Sequence, residues 1–281
     1  MNKLTIEKQT QVITALVEGN SIRATCRMTG AAKGTVTRLL EAVGRTCVAY
    51  QDKVFRNLPC KHIQCDEIWS FCYAKDKNVP EEHKGQFGYG DVWTWTAIDA
   101  DTKLVPSWYI GRRDAACAHE FMQDFKKRLA NRVQLTTDGH RAYVWAIEDA
   151  FGSEVDYGIL IKLYGPQQEG EKRYSPSECI ASEKHVMQGK PDMTKVFTSY
   201  VERQNLTMRM NMRRFTRLTN AFSKKIENLE HAVALHLMYY NFCRPHKTLN
   251  PVRSLGKTPA MAAGVTDRIW KIEDIIRLVG P

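Results

Sequence analysis

Two aromatic, β-branched runs lie one turn apart and constrain this chain more than any other feature. Residues 92–98 read VWTWTAI and residues 103–110 read KLVPSWYI, with Asp99-Ala100-Asp101-Thr102 between them. Such residues suit a pleated, half-buried surface, and the short polar spacer predicts a β-hairpin. Pro106 belongs at an edge or bulge. A strand precedes the hairpin at 62–71, HIQCDEIWSF. An amphipathic helix over 115–131 follows, with Phe121, Met122, Phe125 and Leu129 inward, then a strand at 133–137, a helix at 142–151 and a strand at 158–164. A hairpin supplies antiparallel pairing and helical crossovers supply parallel pairing, so the sheet is mixed and the fold class is α/β. Strands and helices in this order are those of the ribonuclease H-like fold, a mixed sheet with flanking helices.

Residues 4–57 have a different texture, helical throughout. Ile6, Val12, Ile13, Leu16 and Val17 form one apolar face, and Gly19-Asn20 is a stop signal. Ser21 suits an N-cap for a helix over 22–29, Gly30 makes a turn, and a third helix runs from about Lys33 to Val43. Helix, glycine turn, helix is the helix-turn-helix pattern, whose last helix enters the DNA major groove; Lys33, Thr35, Thr37 and Arg38 are then candidates for DNA contact. A small helical bundle packed on another element is the plainer alternative. A linker around 51–61, broken by Pro59, leads to the sheet.

Past the last strand, residues 165–197 lack a period and carry three prolines and three glycines, which predicts a loop insertion. A long helical stretch resumes over 198–241, broken near 218–220; the segment 244–264 is irregular, and 267–278 offers a last short helix. The organisation expected is an all-α helix-turn-helix domain at 1–57, an α/β catalytic domain at 58–245 and a tail at 246–281.

Charge sorts along the same boundaries. The chain of 281 residues has 41 Lys+Arg and 31 Asp+Glu, a net charge of +10. Residues 1–57 carry +5, 58–201 carry −3, 202–228 carry +5 and the tail 229–281 carries +3. Basic ends around an acidic middle suggest a polyanion partner and carboxylates that hold a metal. A hydrophobic content of 43% and a charged content of 26% exclude a disordered chain. No apolar run is long enough for a membrane span, and the N-terminal residues lack the apolar core of a signal peptide, so a cytoplasmic protein without a membrane partner is expected. The eight cysteines make no Cys-x-x-Cys pair. Cys60 and Cys65 flank His62 without a second half at ligand spacing, so buried thiols are expected in place of a zinc site.

Phosphoryl transfer on nucleic acid by two divalent ions needs oxygen ligands that converge from distant sequence, and adjacent parallel strands achieve this. Asp66 lies inside the first strand, Asp138 ends a later one, and Glu202 opens the long helix. Asp66 as an edge charge with Glu67 facing the opposite side, Asp138-Gly139 as a turn, and Glu202 as a dipole partner are the plain alternatives. Asn205 and Arg209 share a helical face with Glu202, and Arg203, Arg213, Arg214 and Arg217 continue a basic surface suited to DNA phosphates. The six tryptophans, 69, 93, 95, 108, 145 and 270, fit core packing better than base stacking.

Several blocks resemble transposases of the insertion-sequence-1 family. GNSIRATCRMTGAAKGTVTRLLEAVG at 19–44 is similar to the helix-turn-helix ahead of that family's catalytic part. CDEIWSF at 65–71, LTTDGHRAY at 135–143 and SYVERQNLTMRMNMRRFTRLTNAFSKKIE at 199–227 are similar to its catalytic blocks, and the tail at 239–260 resembles that of other DDE-type transposases and integrases. The resemblance implies a DDE triad of Asp66, Asp138 and Glu202 holding two Mg²⁺ (or Mn²⁺) ions, with Arg209 on phosphate. It implies a bacterial, nucleoid-associated enzyme that cleaves and joins double-stranded DNA at an element's terminal inverted repeats and in target DNA, as a homo-dimer or higher oligomer. Family members commonly carry a Cys-rich zinc ribbon ahead of the helix-turn-helix. This chain starts without one, so zinc is not expected. A non-catalytic DNA-binding regulator and a nuclease that cuts without joining are the rival readings.

Overall fold

The computed structural model describes residues 4–165, 177–216, 221–250 and 256–280. Its centre is a six-stranded mixed sheet in the order β3-β2-β1-β4-β5-β6. The strands are β1 (His62–Cys72), β2 (Gly90–Asp99), β3 (Ser107–Gly111), β4 (Val133–Thr137), β5 (Val155–Tyr164) and β6 (Cys179–Gln188). β1, β2 and β3 pair antiparallel, β1 with β4 and β4 with β5 pair parallel, and β6 returns antiparallel to β5.

Alternation along β1 sends its residues to two cores. Ile63 and Cys65 join Trp95 and Ala97 of β2 under α4 (Ala115–Lys126) and α5 (Arg141–Phe151), against Phe121, Phe125 and Tyr143. Ile68 and Cys72 face the other way, with Val201 and Met208 of α6 (Ser199–Asn211) and Leu229, Val233 and Leu237 of α7 (Ile226–Met238). The sheet is therefore covered by helices on both faces, as parallel pairing requires. Beyond α7, Asn241 bonds both backbone groups of Val105 at 3.0 Å, satisfying a residue that lies ahead of β3.

The N-terminal helices are α1 (Ile6–Val17), α2 (Ile22–Thr29) and α3 (Lys33–Val54). Ser21 caps α2 by accepting from the Ala24 N–H at 3.1 Å, and Gly30 ends it at φ +70°. α3 does not stop near Val43 but runs to Val54. Gly44 lies inside it because α7 passes so close that a Cβ there would sit 2.5 Å from His231 Cβ. Leu40, Val43 and Cys47 of α3 enter the same core as the sheet. Gly19, at φ +79°, marks a second close approach: a Cβ would meet the Asn211 carbonyl oxygen at 2.9 Å.

Three further expectations need correction. The 165–197 stretch holds a strand, β6, which pairs with β5 from Tyr157 to Tyr164. Both faces of β6 are exposed, so no alternation of burial marks it in the sequence. The helical stretch over 198–241 is two helices, α6 and α7, and the first already ends at Asn211, with a short 3₁₀ turn at Arg213–Phe215 after it; the break expected at 218–220 lies outside the described residues. Trp145 is 72% exposed, against its expected place in the core, whereas Trp95 is fully buried. Two short helices close the chain, α8 (Pro259–Ala262) and α9 (Ile272–Arg277). No helix among the described residues is long and apolar enough to cross a membrane.

Candidate metal centre

Strand register brings the two aspartates together. β1 pairs with β4 only through His62–Gln134, Ile63–Leu135 and Gln64–Thr136. Asp66 lies two residues past Gln64 and Asp138 two past Thr136, so both stand at one level where β4 has ended. That edge of β1 is open there, and Asp138 approaches it from beside the strand. Carboxylate oxygens of Asp66, Glu67 and Asp138 lie within 4.8 Å of one another.

Glu67 does face away from Asp66 along the strand. The open edge lets Asp138 reach both, so a residue set aside in the sequence joins the cluster. Its side chain is only 1% exposed and accepts from Arg113 Nε at 2.6 Å and from the Tyr143 hydroxyl at 3.1 Å. Arg113 comes from the loop after β3, stacks over Trp93 at 4.9 Å and supplies the positive charge nearest the cluster. Neither Arg113 nor Tyr143 was marked by the sequence, because nothing in their local pattern says that they meet Glu67.

Asp66 is fixed from two sides. Its Oδ1 accepts from the Glu67 N–H at 2.8 Å, and its Oδ2 accepts from Asn205 Nδ2 of α6 at 2.8 Å. Asp138 accepts from the His140 N–H at 2.9 Å, an Asx turn that follows from Asp-Gly-His. α6 is anchored by Gln64 of β1, whose Oε1 accepts from the Tyr200 and Val201 N–H groups at 2.9 and 3.1 Å. Glu202 therefore starts its turn above the strand that carries Asp66. Its carboxylate accepts from Thr198 Oγ1 at 2.5 Å and is paired with Lys162 of β5. It lies outside the group of three within 4.8 Å, and acts on Asp66 only as a more distant like charge.

The cluster is short of positive charge. Burial, then the carboxylates of Glu67 and Asp138, push the Asp66 carboxyl up to about 7. Burial and Asp138 raise Glu67 as well, with Arg113 opposing. An all-oxygen donor set with raised carboxyls suits a hard divalent cation such as Mg²⁺ or Mn²⁺. Burial pushes the neighbouring Cys65 thiol well up, which keeps it protonated and unfit as a ligand.

The remaining candidates fall into two places. Asn205 is buried against Asp66, and Arg203 is exposed on α6. Arg209 is half-buried on the same helix. Lys33 and Thr37 of α3 line a cleft of about 730 Å³ together with Arg213 and Arg214, which follow α6. Thr35 is half-buried and Arg38 exposed, both outside that cleft lining. Arg217 lies outside the described residues.

Two carboxylates inside β1 and one just past β4, on a mixed α/β sheet, form an acidic cluster that could hold a hard cation where β4 stops. Residues 173–243, about a quarter of the chain, match the family model described as IS1 transposase, the family that the sequence blocks resemble. The match spans Glu202, α6 and α7 and does not extend to Asp66 or Asp138. It supports a transposase function for this chain. No curated protein matches the full sequence. Among solved structures, the piggyBac transposase synaptic complex with hairpin DNA is similar over 99% of this chain and 72% of that chain, at 10% identity and a TM-score of 0.44. A pre-cleavage Mos1 transpososome aligns over 56% of this chain and 60% of that one, at 9% identity and a TM-score of 0.21. The Mos1 mariner paired end complex with Mn aligns over 55% and 59%, at 12% identity and a TM-score of 0.19.

Proposed function

We propose that this chain is a DDE transposase: a polynucleotidyl transferase that cleaves phosphodiesters at the ends of an insertion sequence and joins the freed 3′-hydroxyl to target DNA. The observation that carries the reading is the convergence of Asp66 and Asp138 at one strand level, with a third carboxylate brought over them by α6. The sheet order is read as ribonuclease H-like, with β6 as an addition to it, and residues 1–57 as the helix-turn-helix unit ahead of a 58–245 catalytic domain and a 246–281 tail.

Asp66, Asp138 and Glu202 would hold two Mg²⁺ or Mn²⁺ ions. Such ions, when bound, polarise the scissile phosphate and lower the pKa of the attacking water or 3′-hydroxyl. The chain's own part is positioning. Asn205 aims the Asp66 carboxylate, the His140 N–H holds Asp138, and Lys162 with Thr198 holds Glu202 until a cation competes for it. Arg203 and Arg209 of α6, with Arg213 and Arg214 after it, would meet flanking phosphates, and Arg217, outside the described residues, is proposed for the same role. Lys33, Thr35, Thr37 and Arg38 read the terminal repeats, and two ends held together call for a dimer or higher oligomer.

One observation favours a second ligand set. Glu67 is already within 4.8 Å of both aspartates, whereas Glu202 is paired with Lys162. Glu67→Gln and Glu202→Gln separate the two sets, since the true third ligand is the one whose loss abolishes the reaction. Labelled DNA carrying the element's own ends, assayed for cleavage and joining with Mg²⁺, with EDTA and with Asp66→Asn, tests the whole reading. Joining that requires metal and Asp66 is expected; a folded Asp66→Asn protein that still cuts and joins refutes it. Binding without cleavage favours a regulator, and cleavage without joining favours a nuclease.

A further inference from the structure

The cleft between the N-terminal helices and the segment leading into α7 is built from three separate stretches of chain. Arg23 comes from α2 and Lys33 from α3; Arg213 and Arg214 follow α6; Lys224 and Lys225 precede α7. These six cations line it, and no aspartate or glutamate does. The stretches are held together by apolar contact and by the close approach of Gly19 to Asn211, not by charge neutralisation. Arg23, Lys33, Arg213, Lys224 and Lys225 are exposed and form no ion pair among the described residues. Arg214 is half-buried, donates from Nε to Ser223 Oγ at 2.8 Å, and is drawn below its usual basicity by burial.

A second feature also points to a missing ligand. His236 of α7 lines the same cleft and is only 4% exposed, yet neither ring nitrogen has a hydrogen-bond partner among the described residues. Buried polar atoms are nearly always satisfied, so the unpartnered imidazole marks the cleft wall as a place that lacks a polar partner.

We propose that this cleft seats the sugar–phosphate backbone of duplex DNA, as a sequence-independent clamp distinct from the carboxylate cluster. The proposal rests on the DNA-processing reading above and gives it a second contact. The chemistry favours backbone over base edges. Five of the six cations are exposed, they come from separate stretches of chain, and no carboxylate in the lining offsets them, which suits a row of phosphates. α3, whose start faces the major groove in a helix-turn-helix, contributes Lys33 to the same lining. A duplex read by α3 thus continues into the cleft.

The test is full-length protein titrated with a fluorescent duplex lacking the element's ends, over a range of salt. The variants are Lys224→Ala/Lys225→Ala and, as a control of equal charge change, Lys53→Ala/Lys127→Ala; these four lysines are exposed, so folding is spared. Each phosphate contact adds about 0.9 to the slope of log affinity against log salt. The cleft variant is expected to flatten that slope by about 1–2, and the control to leave it near the wild-type value. Equal slopes for cleft variant and wild type, or equal flattening by the control, overturn the clamp and leave the transposase reading standing. Wild-type protein that binds no duplex at any salt overturns both.

Discussion

The carboxylate cluster and the cationic cleft are opposite solutions to placing like charges together. At the cluster, three carboxylates crowd within 4.8 Å in a site closed by α5 and α6, and burial with repulsion raises the proton affinity of Asp66 and Glu67. At the cleft, six cations spread over an open lining, and burial draws half-buried Arg214 below its usual basicity. Crowding in low dielectric makes a site that demands a compact, highly charged partner. Spreading in water makes one that suits an extended polyanion.

The contrast breaks most sharply at Asp138. Asp138→Asn removes one charge from the cluster and nothing from the cleft, so metal-dependent strand cleavage is expected to fall by about 10³-fold or more, the scale of several kcal/mol of transition-state charge stabilisation. Duplex binding without metal should stay within about twofold. Loss of binding in parallel with cleavage would show that the two regions are one.

Arg113→Ala probes how the cluster tolerates its own charge. It strands the Glu67 carboxylate, 1% exposed, with only the Tyr143 hydroxyl as donor. Arg113 is itself 41% exposed, so a loss of about 1–3 kcal/mol is expected, less than for a fully buried pair. Urea unfolding at neutral pH measures it, and adding Glu67→Gln should restore most of it.

Gly44→Ala acts on the cleft's frame instead. The new methyl meets His231 at 2.5 Å and must push α3 off α7, at about 1–3 kcal/mol. Duplex affinity should weaken, while metal-dependent stabilisation of the cluster persists. Thermal unfolding with and without Mn²⁺ reads both outcomes.

The smallest effect is a gain. Because the Asp66 carboxyl is raised from 3.8 to about 7 in the folded chain, its contribution to stability is fully present below pH 3.8, is lost progressively as pH rises from there to about 7, and stays lost above it. Asp66→Asn should therefore raise the metal-free melting temperature at pH 8 by a few degrees, at ~2–4 °C per kcal/mol for a chain of this size. The gain should shrink toward pH 5. A wild-type melting temperature indifferent to pH over this range would show that the carboxylates do not repel.

The sequence carried the centre of this structure better than its margins. β4 has the limits expected, Val133–Thr137, and Asp138 follows it, because a short buried strand bounded by charge leaves a clear pattern. Asp66 was legible for the same reason. Glu67 was not: period-2 alternation puts it on the far face, and only the early end of β4 lets Asp138 bridge both faces. β6 escaped because a ribbon exposed on both sides imposes no hydrophobic period. α3 was cut short at Gly44, a residue that elsewhere stops helices and here admits the neighbouring α7. The family match reaches Glu202 and the basic segment after it, yet the partner of Glu202 in the fold, Lys162, sits on a strand outside that match.

The central claim is that Asp66 and Asp138 form a divalent-cation centre. Its most direct test is Mn²⁺ binding followed by electron paramagnetic resonance, with wild type and Asp138→Asn compared at equal protein concentration and with Mg²⁺ as competitor. Saturable Mn²⁺ binding that Mg²⁺ displaces and Asp138→Asn loses is the expected result. Mn²⁺ bound equally well by wild type and variant would contradict it.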